Sequence, residues 1–217
     1  MFIPRISAAK LLHLRATPLD DRPHMLPSLP IMPQSDKPLE IHRWRDCPSP
    51  QALVAGLDSI FFETAGIQTF PDAASRAEFR ERWLGRYLVH DADHVWLTLT
   101  ATGEVVGYLV GCLADPARTE RFADIGYWPA IAQMTSRYPA HLHINVSARW
   151  RSAGVGTRLI EAFAMDARRE AAAGMHVVTA LGLRNVDFYA RNRFEEVARF
   201  PWTGKTLVML GRTLAQA

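Results

Sequence analysis

Cysteine is scarce in this chain. Cys47 and Cys112 are the only two in 217 residues, which is too few for a disulfide framework and does not match a zinc-ligand spacing. A reducing, cytoplasmic setting is the expectation. Long apolar runs are missing as well. None reaches the roughly 18–20 residues that a membrane span requires, so no membrane partner is expected. Excess charge of one sign is missing too: the net charge is +3, with no basic stripe of the kind that binds nucleic acid. No internal repeat or low-complexity tract occurs. What is present is 48% hydrophobic residues, enough for one domain to bury a core without covalent staples.

Proline is plentiful in one place only. Pro4, Pro18, Pro23, Pro27, Pro30 and Pro33 fall within residues 1–37 and break regular structure there repeatedly. The opening FIPRISAAKLLHLRA is basic, acid-free and weakly amphipathic. It admits a transit peptide or a surface helix, while a disordered extension is the simpler reading. Residues 38–213 form the expected domain.

Along that domain the periodicity changes in a readable order. Leu39–Arg45 alternates as a strand. Ser49-Pro50 starts a helix with buried Leu53, Val54, Leu57, Ile60 and Phe61. A second helix begins near Pro71-Asp72 and carries Phe79, Trp83, Tyr87 and Leu88. Val95–Thr100 and Val105–Leu113 read as a hairpin around Thr102-Gly103-Glu104. Gly107 and Gly111 mark bulges or close packing, and Cys112 is a small core residue. Ala114–Ala140 is long for a connection and is expected to supply a helix roofing a pocket. His141–Val146 is a central strand. Val155, Leu159, Ile160, Phe163 and Ala167 form a helical stripe that stops at Gly174. His176–Leu181 follows as a parallel strand, then a short helix over Asn185–Asn192. Phe194–Phe200 and Lys205–Leu210 close the chain as an antiparallel pair.

The chemistry concentrates between the central strand and its helix. Gly154 and Gly156 let the backbone turn sharply, and the N–H groups of residues 151–157 would point out of a helix N-terminus, where negative charge is favoured. Arg149, Arg151 and Arg158 add positive charge around the opening. A Walker loop is excluded, because no lysine follows Gly156. A dinucleotide fingerprint is excluded, because Leu159 stands where its third glycine belongs. Arg151-x-x-Gly154-x-Gly156 is left.

That pattern, with the later Phe188-Tyr189-x-Arg191-x-x-Phe194, resembles the GCN5-related N-acetyltransferase (GNAT) superfamily over residues 39–210. TyrTrpPro at 127–129, TyrPro at 138–139 and HisLeuHisIle at 141–144 further resemble bacterial relatives of the acetyltransferase-like domain of O-GlcNAcase. The resemblance implies an α/β (α+β) fold: a mixed, mostly antiparallel sheet with a splayed parallel central strand pair and helices on both faces. It implies acetyl-CoA as donor cosubstrate. Ile144 and Val146 would offer backbone contacts to pantetheine, and Arg151, Ser152, Ala153, Gly154, Val155, Gly156 and Thr157 would hold the pyrophosphate. Tyr189 would protonate the departing thiolate, since a phenol and a thiol have reference pKa values of about 10 and 8.5. Asn185 stands unusually close to Phe188, which leaves its reach to pantetheine open. Arg193 occupies a place where the family prefers glycine, which weakens the expected helix end.

An acceptor amine must lose a proton, and His141, His143 and Asn145 share one face of the central strand unless a bulge intervenes. His143 or His141 is therefore a general-base candidate, with structural histidines as the alternative. Asp124, Glu63 and Tyr138 are further pocket candidates. No third ligand accompanies the His-x-His pair, so no metal is expected. The reading is an acetyl-CoA-dependent N-acetyltransferase acting on a small-molecule or peptide amine by direct attack, in a chain able to form a homodimer. A catalytically weak acyl-CoA-binding or interaction module is its rival.

Overall fold

The computed structural model describes residues 39–214, so the reading of residues 1–37 lies outside the described residues. Seven strands form one sheet in the order β1-β2-β3-β4-β5-β7-β6. They are β1 (Glu40–Arg43), β2 (Trp96–Leu99), β3 (Val105–Cys112), β4 (Ala140–Val146), β5 (Gly174–Ala180), β6 (Glu195–Trp202) and β7 (Lys205–Thr213). Every neighbouring pair is antiparallel except β4 with β5. This is the mixed sheet with a central parallel pair that the motifs imply.

The helices divide between the two faces. α1 (Pro50–Thr64) opens on Pro50, whose missing N–H is not needed at a helix start. α2 (Ala73–Arg80) is capped by Asp72, whose carboxylate accepts from the Ser75 amide at 2.7 Å. A widened π-type turn at Glu81–Gly85 carries it on into α3 (Arg86–His90). These helices and the 114–138 segment cover one face, with Leu57, Phe61, Tyr87, Phe122 and Trp128 in that core. α5 (Val155–Arg169) and α6 (Asn185–Arg191) cover the other. The five-residue stripe read for α5 is wholly buried there, and each large side chain in it contributes about 1.5–3 kcal/mol.

α5 lies very close to the sheet at Gly111. A β-carbon there would come within 2.4 Å of the Phe163 ring, so that glycine serves close packing. The register of β3 slips beside Gly107: Thr98 pairs with Gly107 and Leu99 with Val105, which leaves Val106 as the extra residue.

Two expectations change. β1 ends at Arg43, because the chain curls into a turn at Trp44–Asp46 closed by the Cys47 amide on the Trp44 carbonyl. The 114–140 connection does not roof a pocket. Its helix α4 (Trp128–Thr135) follows two short turns, and Phe122, Ile125, Tyr127, Trp128 and Ile131 all sink into the core. So many large apolar groups on one segment gain more from burial than from forming a lid.

Candidate active site

β4 and β5 pair over only two rungs, Ala140 with Met175 and His141 with His176. Beyond them the strands part. β4 runs unbulged against β3 from His141 to Val146, and the Ser147 amide continues that ladder onto the Val106 carbonyl. The odd-numbered residues of β4 therefore bond to β3, and Leu142, Ile144 and Val146 turn their main-chain groups toward β5. The same alternation against β7, ending with the Leu181 amide on the Thr206 carbonyl, turns Val178 and Ala180 toward β4. The result is a wedge edged with amides that have no strand partner. An extended amide-bearing chain fits it.

At the wide end of the wedge the chain passes through a short turn, Ala148–Trp150, into α5. Ser152 and Gly154 both have positive φ, at 67° and 75°, and Gly154 is the residue that opens the helix. The first helical bond runs from the Arg158 amide to the Gly154 carbonyl. No described residue accepts from the six amides of 152–157. These donors converge on open space, since a β-carbon on Gly154 would meet nothing within 4 Å. Gly156 differs: a β-carbon there would come within 2.7 Å of the Phe188 ring, so it lets α6 pack beside the loop. Of the three arginines, Arg149 is paired with Glu104 and Arg158 donates to the Leu39 carbonyl at 3.1 Å. Arg151 reaches only the Val146 carbonyl, at 3.4 Å, and is left with its charge unpaired among the described residues.

The wedge leads inward to a cavity of 160 Å³ lined by Phe61, Trp83, His143, Ile144, Asn145, Val177, Val178, Asn185 and Tyr189. Tyr189 comes from α6 and is 4% exposed. Burial raises its phenol above the ordinary value, so it stays protonated. His143 Nε2 and the Tyr87 hydroxyl are 3.1 Å apart, and Trp83 meets the imidazole edge to face at 5.1 Å. Burial, followed by His176 and the Arg86 guanidinium, pushes His143 down to about 4, so its ring is neutral at physiological pH. Asn145 is held between the Tyr108 hydroxyl, to which its Nδ2 donates, and the Thr64 hydroxyl, each at 2.8 Å. Asn185 is tied to Thr179 Oγ1 at 2.9 Å.

With this geometry in place the comparisons are decisive. Residues 57–194 match the Acetyltransferase (GNAT) family, which is more than half of the chain. The chain belongs to the GNAT acetyltransferase family. Among solved structures, this acetyltransferase is similar to one described as SsHAT, with a TM-score of 0.63 at 22% identity over 82% of this chain and 98% of that one. An agmatine N-acetyltransferase in its apo form gives 0.58 at 16% identity, covering 81% and 99%. YncA, a putative acetyltransferase from Salmonella typhimurium with its cofactor acetyl-CoA, gives 0.50 at 16% identity, covering 84% and 96%. No curated protein matches the chain.

In this acetyltransferase the cavity gathers Tyr189, His143, Ile144 and Asn185, with Val146 and residues 151–157 at the outer end of the same wedge. His141 is not brought there. It is 2% exposed and packed among Tyr87, Phe122, Trp128 and His176, because the sheet is closed at its height and open only from His143 outward. Asp124 is occupied by Arg82 and Arg86, which hold its carboxyl at about 2. Glu63 accepts from the Ala148 amide at 2.9 Å, and Tyr138 packs on Gly174 and Gly211. None of these three lines the cavity. Cys112 is a core thiol, pushed up to about 12 by burial. Periodicity alone did not single out Trp83, Val178 and Tyr87 for the site. Trp83 and Tyr87 were legible as a buried stripe on a helix, and the widened turn that brings them to His143 has no signature in the residue order.

Proposed function

We propose that this protein is an N-acetyltransferase that takes an acetyl group from acetyl-CoA and passes it to a primary amine by direct attack. One observation carries the reading: the unpaired main-chain edge of the β4–β5 wedge opens onto the six free amides of residues 152–157. The first suits the amides of pantetheine and the second a pyrophosphate. Ile144 and Val146 would contact pantetheine. Arg151, Ser152, Ala153, Gly154, Val155, Gly156 and Thr157 would hold the phosphates, and Asn185 would stand beside the thioester arm.

The acetyl group would then reach the cavity beside Tyr189. The amine nitrogen attacks the carbonyl carbon, a main-chain N–H near Val146 supports the oxyanion, and the C–S bond breaks. Tyr189 gives its proton to the thiolate. His143, neutral and half-buried, faces the incoming amine and helps to move its proton outward. We retain His141 only as structural support for that wall. The narrower resemblance to bacterial relatives of the acetyltransferase-like domain of O-GlcNAcase rests on residues 127–129, 138–139 and 141–144 alone. A reducing compartment suits the free thiols of Cys47 and Cys112.

Calorimetric titration with acetyl-CoA, and with CoA for comparison, tests the reading. Saturable binding lost in Gly154→Val is expected, because the new side chain would fill the space in front of the amides and strain a backbone at φ 75°. Unchanged affinity in that variant would remove the loop assignment.

A further inference from the structure

We propose that the acceptor enters uncharged, as an aromatic primary amine whose flat ring packs against Phe61 and Trp83. The proposal deepens the N-acetyltransferase reading above and rests on it. The cavity supplies the first argument. Phe61 and Trp83 give it aromatic walls, and Val177 and Val178 give it an apolar back.

Charge supplies the second argument. No carboxylate lines the cavity among the described residues. Four of the acidic groups on neighbouring elements are already engaged, and Glu81 and Asp187, on the elements that carry Trp83 and Tyr189, do not line the cavity. Asp58 accepts from Arg80 at 2.7 Å, and Asp124 takes both Arg82 and Arg86. Asp91 holds Arg121 at 2.8 Å, and Glu63 caps the Ala148 amide. The polar groups that do line it, His143, Asn145, Asn185 and Tyr189, are neutral. Burial is the first cause of His143's neutrality, and the Arg86 guanidinium, itself paired with Asp124, adds to it. A site that disfavours the charged form of an imidazole disfavours an ammonium for the same first reason, lost hydration.

The aromatic walls could offer a cation–π contact, but that recovers only part of the hydration an ammonium gives up. A lysine-type amine would have to enter in its neutral form, which at pH 7 is about one molecule in 2,500. An aromatic amine is already neutral there. Its nitrogen attacks the thioester carbonyl carbon as the C–S bond breaks and Tyr189 protonates the thiolate. The proton shed by the amine passes out to solvent, and solvent reprotonates Tyr189.

The full-length protein, with acetyl-CoA binding first shown by calorimetry, should be assayed at pH 7 for thiol release with aniline, benzylamine and an Nα-acetyl-lysine amide. Aniline and benzylamine share the ring and differ in charge. Turnover of aniline at least tenfold faster than that of the other two is expected. Asn145→Asp, checked for folding by circular dichroism, should move the aniline-to-benzylamine ratio at least tenfold toward benzylamine by giving the ammonium a partner. Equal or faster turnover of benzylamine or the lysine amide by the unaltered protein would overturn the proposal, and so would acetyl-CoA binding without aniline turnover. Failure to bind acetyl-CoA would overturn the acetyltransferase reading itself, and the proposal with it.

Discussion

At the scale of single residues the site turns on two side chains whose surroundings hold each in its neutral form. Tyr189 is buried on α6 at the inner end of the wedge, and its raised phenol value keeps the proton it is proposed to donate. Tyr189→Phe removes that proton and leaves the ring packed against Phe194, 5.5 Å away between centroids. Turnover should fall by about 10²–10⁴-fold, the usual contribution of a positioned acid, while acetyl-CoA affinity measured by calorimetry holds. A parallel loss of affinity would mean that the ring binds and the hydroxyl does not act. His143 bears on pH dependence. Its folded value lies at about 4, so its titration falls near pH 4 and not near the ordinary 6.5. The ratio of wild-type to His143→Ala turnover should therefore stay constant between about pH 6 and pH 9. A ratio that changes through pH 6.5 would show an imidazole that keeps its ordinary value in the folded protein.

Elements show how the chain tolerates departures from its family's pattern. α6 ends with the Phe194 amide on the Tyr189 carbonyl at 3.1 Å and the Arg193 amide on the Ala190 carbonyl at 3.0 Å. Arg193 sits at φ 66°. This is a full Schellman closure, completed by the contact between Phe194 and Tyr189. The arginine did not prevent the motif; it forms with a side chain in a conformation that favours glycine. A non-glycine residue there costs about 1–2 kcal/mol, and the exposed ion pair of Arg193 with Glu161 returns about 0–1. Arg193→Gly should accordingly stabilise the protein by about 0.5–1 kcal/mol in urea titration, a gain that a destabilised variant would contradict. The closure also fixes Tyr189, so the same end of α6 serves both stability and the site.

Much of this scale was legible beforehand. The order of elements along the chain, the α5 stripe and the glycine-bearing turn follow from periodicities and glycine placements that local sterics enforce. The fate of the 114–140 segment did not follow. Its aromatic residues are equally consistent with a lid and with a core, and only the sheet face they meet decides. The removal of His141 from the site escaped for a related reason. His141 and His143 are equivalent by alternation, and the height at which β4 and β5 part, one rung above His176, separates them.

Across the whole molecule the closed part of the wedge leaves a group of neutral histidines inside the fold. His176 is fully buried, its Nδ1 faces the Tyr138 carbonyl, and its ring lies 5.7 Å from His141. Burial pushes it down to about 4, against the Tyr138 carbonyl and then Asp115, which act in the other direction. His141 is lowered by burial, and then by His176 and His143. The sign follows from comparing the two states. Below about pH 6.5 the unfolded chain takes up protons on these rings and the folded chain does not. Their contribution is complete above pH 6.5 and is lost as the pH falls toward 4, at up to about 1.4 kcal/mol per pH unit for each ring. A second loss belongs lower. Burial opposes the charge of Asp166, but His94, its Nδ1 3.6 Å from the carboxylate, and hydrogen bonds from Arg43 and Trp96 outweigh it and hold the carboxyl at about 2, so its share disappears only below about pH 4. Urea unfolding at intervals from pH 7.5 to pH 4.5 should show stability falling throughout the lower half of that range. His176→Gln should have a shallower slope there, whatever its absolute stability, because one ring no longer distinguishes the two states. A slope unchanged by that substitution would show that His176 takes up its proton inside the folded protein.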